Sequence, residues 1–257
     1  MSLVTYKTVD RISFISLNRA DKRNALNSQM VSELKEAFQQ AELDETSKVI
    51  VLKAEGKVFS AGADLAYLQE LQSNTLDENY ADSSHLKELF EQIYWNKKLV
   101  IAQVEGHAIA GGCGLATVCD LVYCVPEATL GYTEVKIGFI PAIVMFFLLR
   151  KIGEQKAKDL LLTGRLIKAD EARKLGLINE VVATEHIANK VIEKAQEIIR
   201  SCSSDSIALT KEMIADIQSM EAKEALDYAA RKNAQARDSS DCKKGISAFL
   251  SKEKIIW

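Results

Sequence analysis

Residues 59–65 read FSAGADL, and residues 106–114 read GHAIAGGCG. Each stretch follows a short run rich in β-branched residues and precedes a predicted helix. Small residues let a ligand approach the backbone closely, and the start of a helix leaves unpaired N–H groups that favour negative charge. Either stretch alone is explained by a tight turn. Together they predict a site where two peptide N–H groups could hold one oxyanion.

Four apolar runs around these stretches are predicted as strands, at residues 11–17, 48–54, 99–104 and 121–125. Helical patterns separate the strands, which predicts an α/β fold with crossover connections. Asn27 is a suitable N-cap for the first helix. The polar stretch 72–84 is predicted to be a mobile surface loop.

Little strand signal remains after Gly153, and helical patterns dominate the rest of the chain. The predicted helices cover residues 142–151, 154–162, 168–175, 184–200, 206–219, 221–236 and 242–250. The first of them is apolar on nearly every side, so we expect it to be buried. We divide the chain into an α/β core at 1–185, which carries the site, and a helical region at 186–257 docked against it.

Composition excludes several classes of protein. The 257 residues are 47% hydrophobic and 27% charged, with a net charge of −3, which argues against disorder and against a dedicated nucleic-acid binder. Residues 1–10 lack the apolar segment of a secretory signal, and no window is long enough to span a bilayer, so a cytoplasmic protein without a membrane partner is expected. The histidines and cysteines lack metal-ligand spacing, so no metal site is predicted.

Glu134 is the candidate acid/base residue. It lies in LGYTEVKIG, residues 130–138, just before the most apolar stretch of the chain. Burial without a partner would raise its pKa towards the range that suits a general base. On local sequence alone, a surface glutamate paired with Lys136 is the favoured alternative.

Taken together, these motifs resemble the crotonase superfamily, the enoyl-CoA hydratase/isomerase fold. The motifs that carry the resemblance occur in the family's order along nearly the whole chain, at residues 18–27, 59–65, 110–120, 130–141, 161–182 and 241–249. The resemblance implies a spiral of ββα units followed by a C-terminal helical trimerisation region, in a homotrimer or a hexamer. It also implies an acyl-CoA thioester as the substrate, with no separate cofactor because coenzyme A is part of that substrate.

The resemblance also assigns site residues. The family stabilises an enolate oxygen with two backbone N–H donors, which map here onto Ala61 and Gly111, and Glu134 matches a catalytic glutamate. Five positions match residues that line the CoA moiety: Lys22, Ala25, Ala63, Asp64 and Leu65. In the tail, Phe249 and Lys252 resemble residues that reach a neighbouring subunit's CoA, although a core phenylalanine and a solvated lysine are equally common explanations.

Two departures from the family pattern leave the reaction open. Hydratases of the family generally hold a water between two glutamates, and Gly114 stands where the first is expected. The absence of this glutamate favours a Δ3,Δ2-enoyl-CoA isomerase, which needs only one glutamate, over a simple hydratase. The apolar segment 141–147 instead looks like a bacterial subgroup associated with 3-methylglutaconyl-CoA hydration. Within that segment, Phe146 and Phe147 either shorten the acyl tunnel or pack the core.

Hydration of a short or branched 2-enoyl-CoA is the leading prediction. Isomerisation of a 3-enoyl-CoA is second, and decarboxylation of an acyl-CoA is third. The alternative from another class is a non-catalytic binder of acyl-CoA or RNA. The slightly acidic net charge weighs against RNA.

Overall fold

The chain begins with a hairpin that the sequence did not predict in full. The computed structural model describes residues 2–257, so Met1 lies outside the described residues. Strands β1 (Val4–Val9) and β2 (Ile12–Leu17) pair antiparallel. Asp10 and Arg11 join them with φ of 51° and 66°, the left-handed conformation that a two-residue hairpin turn requires. The predicted strand at 11–17 is confirmed as β2.

Six strands form the larger sheet, in the order β1-β2-β3-β5-β7-β10. From β2 onward the pairs are parallel. The added strands are β3 (Val49–Ala54), β5 (Leu99–Val104), β7 (Leu121–Cys124) and β10 (Glu180–Val181). Residues 49–52 of β3 are fully buried, as expected for a central parallel strand covered on both faces.

A second sheet of four strands runs in the order β4-β6-β8-β9. Its strands are β4 (Val58–Ser60), β6 (His107–Ile109), β8 (Thr129–Gly131) and β9 (Ile167–Lys168). Strands β3, β5 and β7 of the larger sheet are each followed directly by one strand of this smaller sheet. The chain therefore winds as a spiral of ββα units, which confirms the predicted α/β crotonase-like fold.

The first four helices cover the α/β part of the chain. They are α1 (Ser28–Leu43), α2 (Leu65–Glu70), α3 (Leu76–Tyr94) and α4 (Gly111–Val118). Asn27 caps α1 by accepting a hydrogen bond from the Met30 amide, as predicted. Helices α1 and α3 pack against each other.

Residues 72–84 were wrongly predicted to be a mobile loop. Helix α3 begins within them, because Thr75 and Glu78 form a reciprocal capping box at its N-terminus. The loop prediction followed from the stretch's polar composition. That composition instead reflects a helix with few buried residues before Leu89.

Seven helices follow Pro141 in the described chain. They are α5 (Ala142–Ile152), α6 (Glu154–Thr163), α7 (Ala169–Leu175), α8 (Ile187–Ser201), α9 (Ser204–Ile217), α10 (Ala222–Asp238) and α11 (Ser240–Leu250). The two-residue strands β9 and β10, which lie among them, were too short for the sequence to reveal. Helix α5 is less buried than predicted, since Phe146 on its outer face is 41% exposed.

The last helices differ in how they meet the core. Helix α8 packs on β3, β5 and β7 through a buried apolar face. In contrast, α9 to α11 have one buried residue between them, Ala215, and they expose apolar side chains such as Ile246 and Phe249. No helix within residues 2–257 combines the length and apolar character needed to cross a membrane. Cytoplasmic location stays a prediction.

Candidate active site

Two neighbouring strands of the smaller sheet carry the two glycine turns to the same end of that sheet. Strands β4 and β6 are parallel, with Val58 opposite His107 and Ser60 opposite Ala108. The turn after β4 leads into α2, and the turn after β6 leads into α4. Because parallel strands end at the same edge, the two turns lie side by side.

The contact between the turns depends on missing side chains. Gly62 has φ +87°, and a Cβ there would lie 2.8 Å from Ala110 Cβ and 2.9 Å from the Ile109 carbonyl oxygen. A Cβ on Gly112 would lie 2.5 Å from the Ser60 carbonyl oxygen. Atoms cannot approach so closely, so glycine is required at both positions.

Ala110, at the start of α4, has an unfavourable backbone conformation. Its φ of 51° and ψ of −126° are rare for a residue with a Cβ. A hydrogen bond of 2.8 Å from its amide to the Gly131 carbonyl holds it in place. This geometry sets the direction of the next peptide, whose Gly111 N–H has no acceptor within residues 2–257. Backbone strain of this kind is typical of functional sites.

The prediction that Ala61 supplies the other N–H donor is wrong. The Ala61 amide already donates to the Arg23 carbonyl at 3.0 Å. Residues 23–26 run alongside this turn, and Leu26 forms a parallel bridge with Ala63. That bridge uses the Gly62 carbonyl and the Asp64 amide, both at 2.8 Å, and leaves the Ala63 N–H on the opposite side of the backbone.

Ala63 therefore has the free amide that Ala61 lacks. Its N–H makes no hydrogen bond in the described part of the chain. Ala63 and Gly111 both line one cavity of about 850 Å³. The two glycine turns therefore bring the free amides of Ala63 and Gly111 to this cavity.

The cavity brings together most of the predicted site residues. Glu134, Lys22, Ala25, Asp64 and Leu65 line it together with the two amide residues. Its remaining wall is largely apolar and includes Leu86, Phe139, Ile140, Ile143 and Val144. Phe249 and Lys252 do not line this cavity; both are exposed near the C-terminus, with Phe249 84% exposed. Their predicted role at a neighbouring subunit stays a prediction.

Glu134 is buried, and it is not the surface partner of Lys136. It begins a short 3-10 helix directly after β8 and is 8% exposed. Its Oε2 atom is buried with no hydrogen-bond partner among residues 2–257. Burial raises the pKa of this carboxyl above its usual value, although a hydrogen bond with its own backbone opposes the shift. An unpartnered carboxyl at a cavity can exchange a proton with a bound molecule.

Gly114, where a second glutamate was expected, faces an apolar side chain that fills the space. A Cβ on residue 114 would lie 2.2 Å from Val144 Cγ1 and 3.1 Å from Phe90 Cε1. Val144 and Glu134 both line the cavity. The place of the second carboxylate is therefore occupied by a branched aliphatic group.

Of the two phenylalanines predicted either to shorten the acyl tunnel or to pack the core, Phe147 packs the core and Phe146 is partly exposed. Phe147 is buried, with its ring centroid 5.6 Å from Phe90 and 5.2 Å from Tyr94. Phe146 lies on the outer face of α5, with the Arg150 guanidinium 3.9 Å from its ring. Neither phenylalanine lines the cavity. Tyr132 is fully buried and shares a 2.6 Å hydrogen bond with Thr117, so it is also a structural residue.

An ion pair that the sequence did not reveal fixes the start of α2. Asp64 caps α2 by accepting from the Ala66 amide at 3.0 Å, and Arg19 donates to its other oxygen at 2.6 Å. Burial alone would raise the pKa of Asp64, but these hydrogen bonds lower it below its usual value.

Lys22 and Arg23 are exposed where they line the cavity, and their charged groups could bind a phosphate group. Within the described residues no three His, Cys, Asp or Glu side chains cluster at metal-binding distance.

Comparisons with known proteins identify proteins with similar sequences and similar folds. The enoyl-CoA hydratase/isomerase family matches residues 7–257. A Thermus thermophilus protein named "Putative enoyl-CoA hydratase" is 42% identical over 94% of this chain and 95% of its own. A crystal structure of an enoyl-CoA hydratase/isomerase from Marinobacter aquaeolei superposes with a TM-score of 0.91 at 32% identity, covering 99% of this chain and 98% of that one. An enoyl-CoA hydratase from Mycobacterium smegmatis gives a TM-score of 0.91 at 28% identity, with the same coverage.

Proposed function

The chain belongs to the enoyl-CoA hydratase/isomerase family, and on that premise we propose that it moves the double bond of a 3-enoyl-CoA to the 2-position. The Glu134 carboxylate would take a proton from C2, and the electrons would move onto the thioester oxygen. The Ala63 and Gly111 amides would stabilise that oxyanion. The protonated Glu134 would then return the proton to C4, which leaves a conjugated 2-enoyl thioester.

The single observation that carries this proposal is the fit between Gly114 and Val144. A double-bond shift needs one group that removes a proton and returns it, and Glu134 is sufficient for that role. Addition of water needs, besides the base, a place that holds the water. Val144 supplies a methyl group where a second acceptor is expected, and a methyl group cannot hold a water.

Hydration of a 2-enoyl-CoA is the second candidate, favoured by the names of the relatives reported above. In that reaction water would add at C3, Glu134 would accept the water's proton, and the enolate would be protonated at C2. The 3-methylglutaconyl-CoA type of substrate belongs to this candidate. Decarboxylation and non-catalytic binding of acyl-CoA or RNA have no specific observation in their favour.

A side-by-side assay separates the two reactions. We would measure conversion of 3-hexenoyl-CoA to 2-hexenoyl-CoA, and of 2-hexenoyl-CoA to 3-hydroxyhexanoyl-CoA, with the same enzyme preparation. The proposal predicts a larger kcat/KM for the double-bond shift. A larger kcat/KM for hydration would favour the second candidate, and 3-methylglutaconyl-CoA in the same panel tests its narrower form.

We also propose that the chain assembles as a homotrimer or a hexamer. The support is the set of apolar side chains that α9 to α11 expose, including Leu226, Ile246 and Phe249. Exposed apolar groups on one region are typical of an interface between subunits. Light scattering on the purified protein measures the mass, and a monomer would contradict this proposal.

A further inference from the structure

A polar pair interrupts the apolar wall of the active-site cavity. Tyr67 on α2 donates a short hydrogen bond to Asp82 Oδ1 on α3, and both residues line the cavity. Helices α2 and α3 also bring Leu65, Leu68 and Leu86 to the cavity, together with the polar residues Ser83 and His85. The proposed double-bond shift uses neither Tyr67 nor Asp82.

Helix α3 runs from this pair towards Gly114 and Val144, where the proposed reaction takes place. Asp82, Leu86 and Phe90 are spaced by four residues and so lie on one face of the helix. Phe90 packs beside Gly114, close to Val144. Asp82 lies two turns away, about 12 Å along the axis at 1.5 Å per residue. This position suits contact with the acyl chain at a distance from the reacting carbons.

The pair has one free acceptor and no free donor. Tyr67 gives its only proton to Asp82 Oδ1, and the Ser28 side chain hydrogen-bonds to the tyrosine oxygen, so the free acceptor is the second carboxylate oxygen of Asp82. Burial, reinforced by the hydrogen bond to Asp82, raises the pKa of Tyr67 to about 12, so the hydroxyl stays neutral. Asp82 forms no ion pair with any residue from 2 to 257.

His85, which also lines the cavity, adds no free hydrogen-bond donor or acceptor to this pair. The Lys35 ammonium lies 3.2 Å from His85 Nδ1 and has only protons to offer, so Nδ1 accepts. Nε2 lies 3.0 Å from Ser32 Oγ and 3.4 Å from the Ser28 carbonyl oxygen. Both ring nitrogens therefore have partners; Lys35 and Ser32 do not line the cavity, and Ser28 does.

We propose that Tyr67 and Asp82 form a specificity subsite that accepts a hydrogen bond from a hydroxyl group on the acyl chain and disfavours an acyl carboxylate. The carboxylate is disfavoured because it would lie beside the uncompensated charge of Asp82. This inference rests on the proposed acyl-CoA function and adds the class of acyl group that the cavity selects. It makes a dicarboxylic acyl group a poor substrate.

The test uses 3-enoyl-CoA thioesters that differ only at the end of the acyl chain. Methyl, hydroxymethyl and carboxylate ends would be compared in six-, eight- and ten-carbon chains. For at least one length, we expect kcat/KM to be about tenfold higher for the hydroxyl than for the methyl end, the factor expected for one hydrogen bond to a charged group. The carboxylate end should be the poorest of the three.

Two isosteric variants identify the residues responsible. Tyr67→Phe and Asp82→Asn should both reduce the preference for the hydroxyl end, and Asp82→Asn should raise the relative kcat/KM of the carboxylate end. Asp77→Asn is the matched control, since Asp77 is an exposed acid on the same helix that does not line the cavity. It should leave the ratios unchanged.

Two results would overturn the subsite: a wild-type enzyme with equal kcat/KM for the three ends, or an Asp82→Asn variant in which the ratios of kcat/KM between the ends are unchanged. If Asp82→Asn lowers kcat/KM equally for all ends, the pair only ties α2 to α3. If the wild-type enzyme turns over none of the thioesters, the proposed function fails instead. The subsite is then tested by titration calorimetry with saturated hexanoyl- and 6-hydroxyhexanoyl-CoA and their longer homologues, where equal affinities would overturn it.

Discussion

Gly114 and Val144 fit each other so closely that a Cβ on residue 114 would lie 2.2 Å from Val144 Cγ1. One residue has no side chain, and the other fills the space that a side chain would need. The two positions are therefore coupled, and neither can be changed alone without a cost in packing. Among the described residues that line the cavity, Glu134 is the one glutamate.

The coupling predicts how a second glutamate could be introduced. Gly114→Glu alone should destabilise the protein by about 3 kcal/mol or more, because the new side chain overlaps Val144. Gly114→Glu combined with Val144→Gly should recover part of that loss. The double variant should also raise hydration relative to isomerisation by about tenfold or more, since a second carboxylate can then hold a water.

Urea unfolding and the paired assays on the single and double variants measure both effects. Val144→Gly alone is the control for the loss of the valine. If Gly114→Glu were as stable as the wild-type protein, the described packing at this position would be incorrect.

The contact between the two turns at Gly62 predicts that a side chain at this position lowers kcat. A methyl group at this position would push the two turns apart and displace the Ala63 and Gly111 amides. Loss of one oxyanion donor costs about 10²–10³ in kcat, so Gly62→Ala should lower kcat by about that factor.

Gly176→Ala is the matched control for Gly62→Ala. Gly176 has φ +86°, nearly the same as Gly62, but a Cβ there would meet no atom within 4 Å. Both variants carry the same backbone strain, of about 1 kcal/mol, and only Gly62→Ala should lose activity. Equal losses of kcat would show that strain, and not the contact between the turns, is responsible.

The raised pKa of Glu134 predicts the acidic limb of the pH–rate profile. The residue must be ionised to remove a proton, and burial holds its pKa above the ordinary value of 4.5. The kcat/KM for 3-hexenoyl-CoA should therefore fall with decreasing pH through an apparent pKa higher than 4.5. A profile that stays flat down to pH 4.5 would contradict this environment for Glu134.

The same shift predicts a pH-dependent gain in stability from Glu134→Gln. The folded protein binds this proton more tightly than the unfolded chain, so the free energy of unfolding falls as pH rises from 4.5 to the pKa of the folded state. Glutamine lacks this titration. The variant should match the wild-type protein below pH 4.5 and exceed its free energy of unfolding at neutral pH. An equal difference at both pH values would argue against the shift.

The sequence predicted the general location of the site, because both glycine turns, Glu134 and the CoA-lining positions lie in local motifs. From the sequence we predicted Ala61 as one oxyanion donor, whereas the free amide is that of Ala63, two residues later. Which amide is free depends on how residues 23–26 pair with the turn, and a tertiary contact of that kind leaves no local signal. Helix α3 was missed because its capping box stands in a polar stretch, and Asp82 was missed with it.

The most direct test of the single-carboxylate mechanism is the conversion of 3-hexenoyl-CoA by the wild-type enzyme and by Glu134→Gln, followed by NMR in D2O. Proton loss at C2 and proton gain at C4 are then observed separately from any addition of water. We predict that the wild-type enzyme forms 2-hexenoyl-CoA and that the variant is slower by about 10²–10⁴. A variant that shifts the double bond at the wild-type rate would contradict the role of Glu134 as the proton carrier.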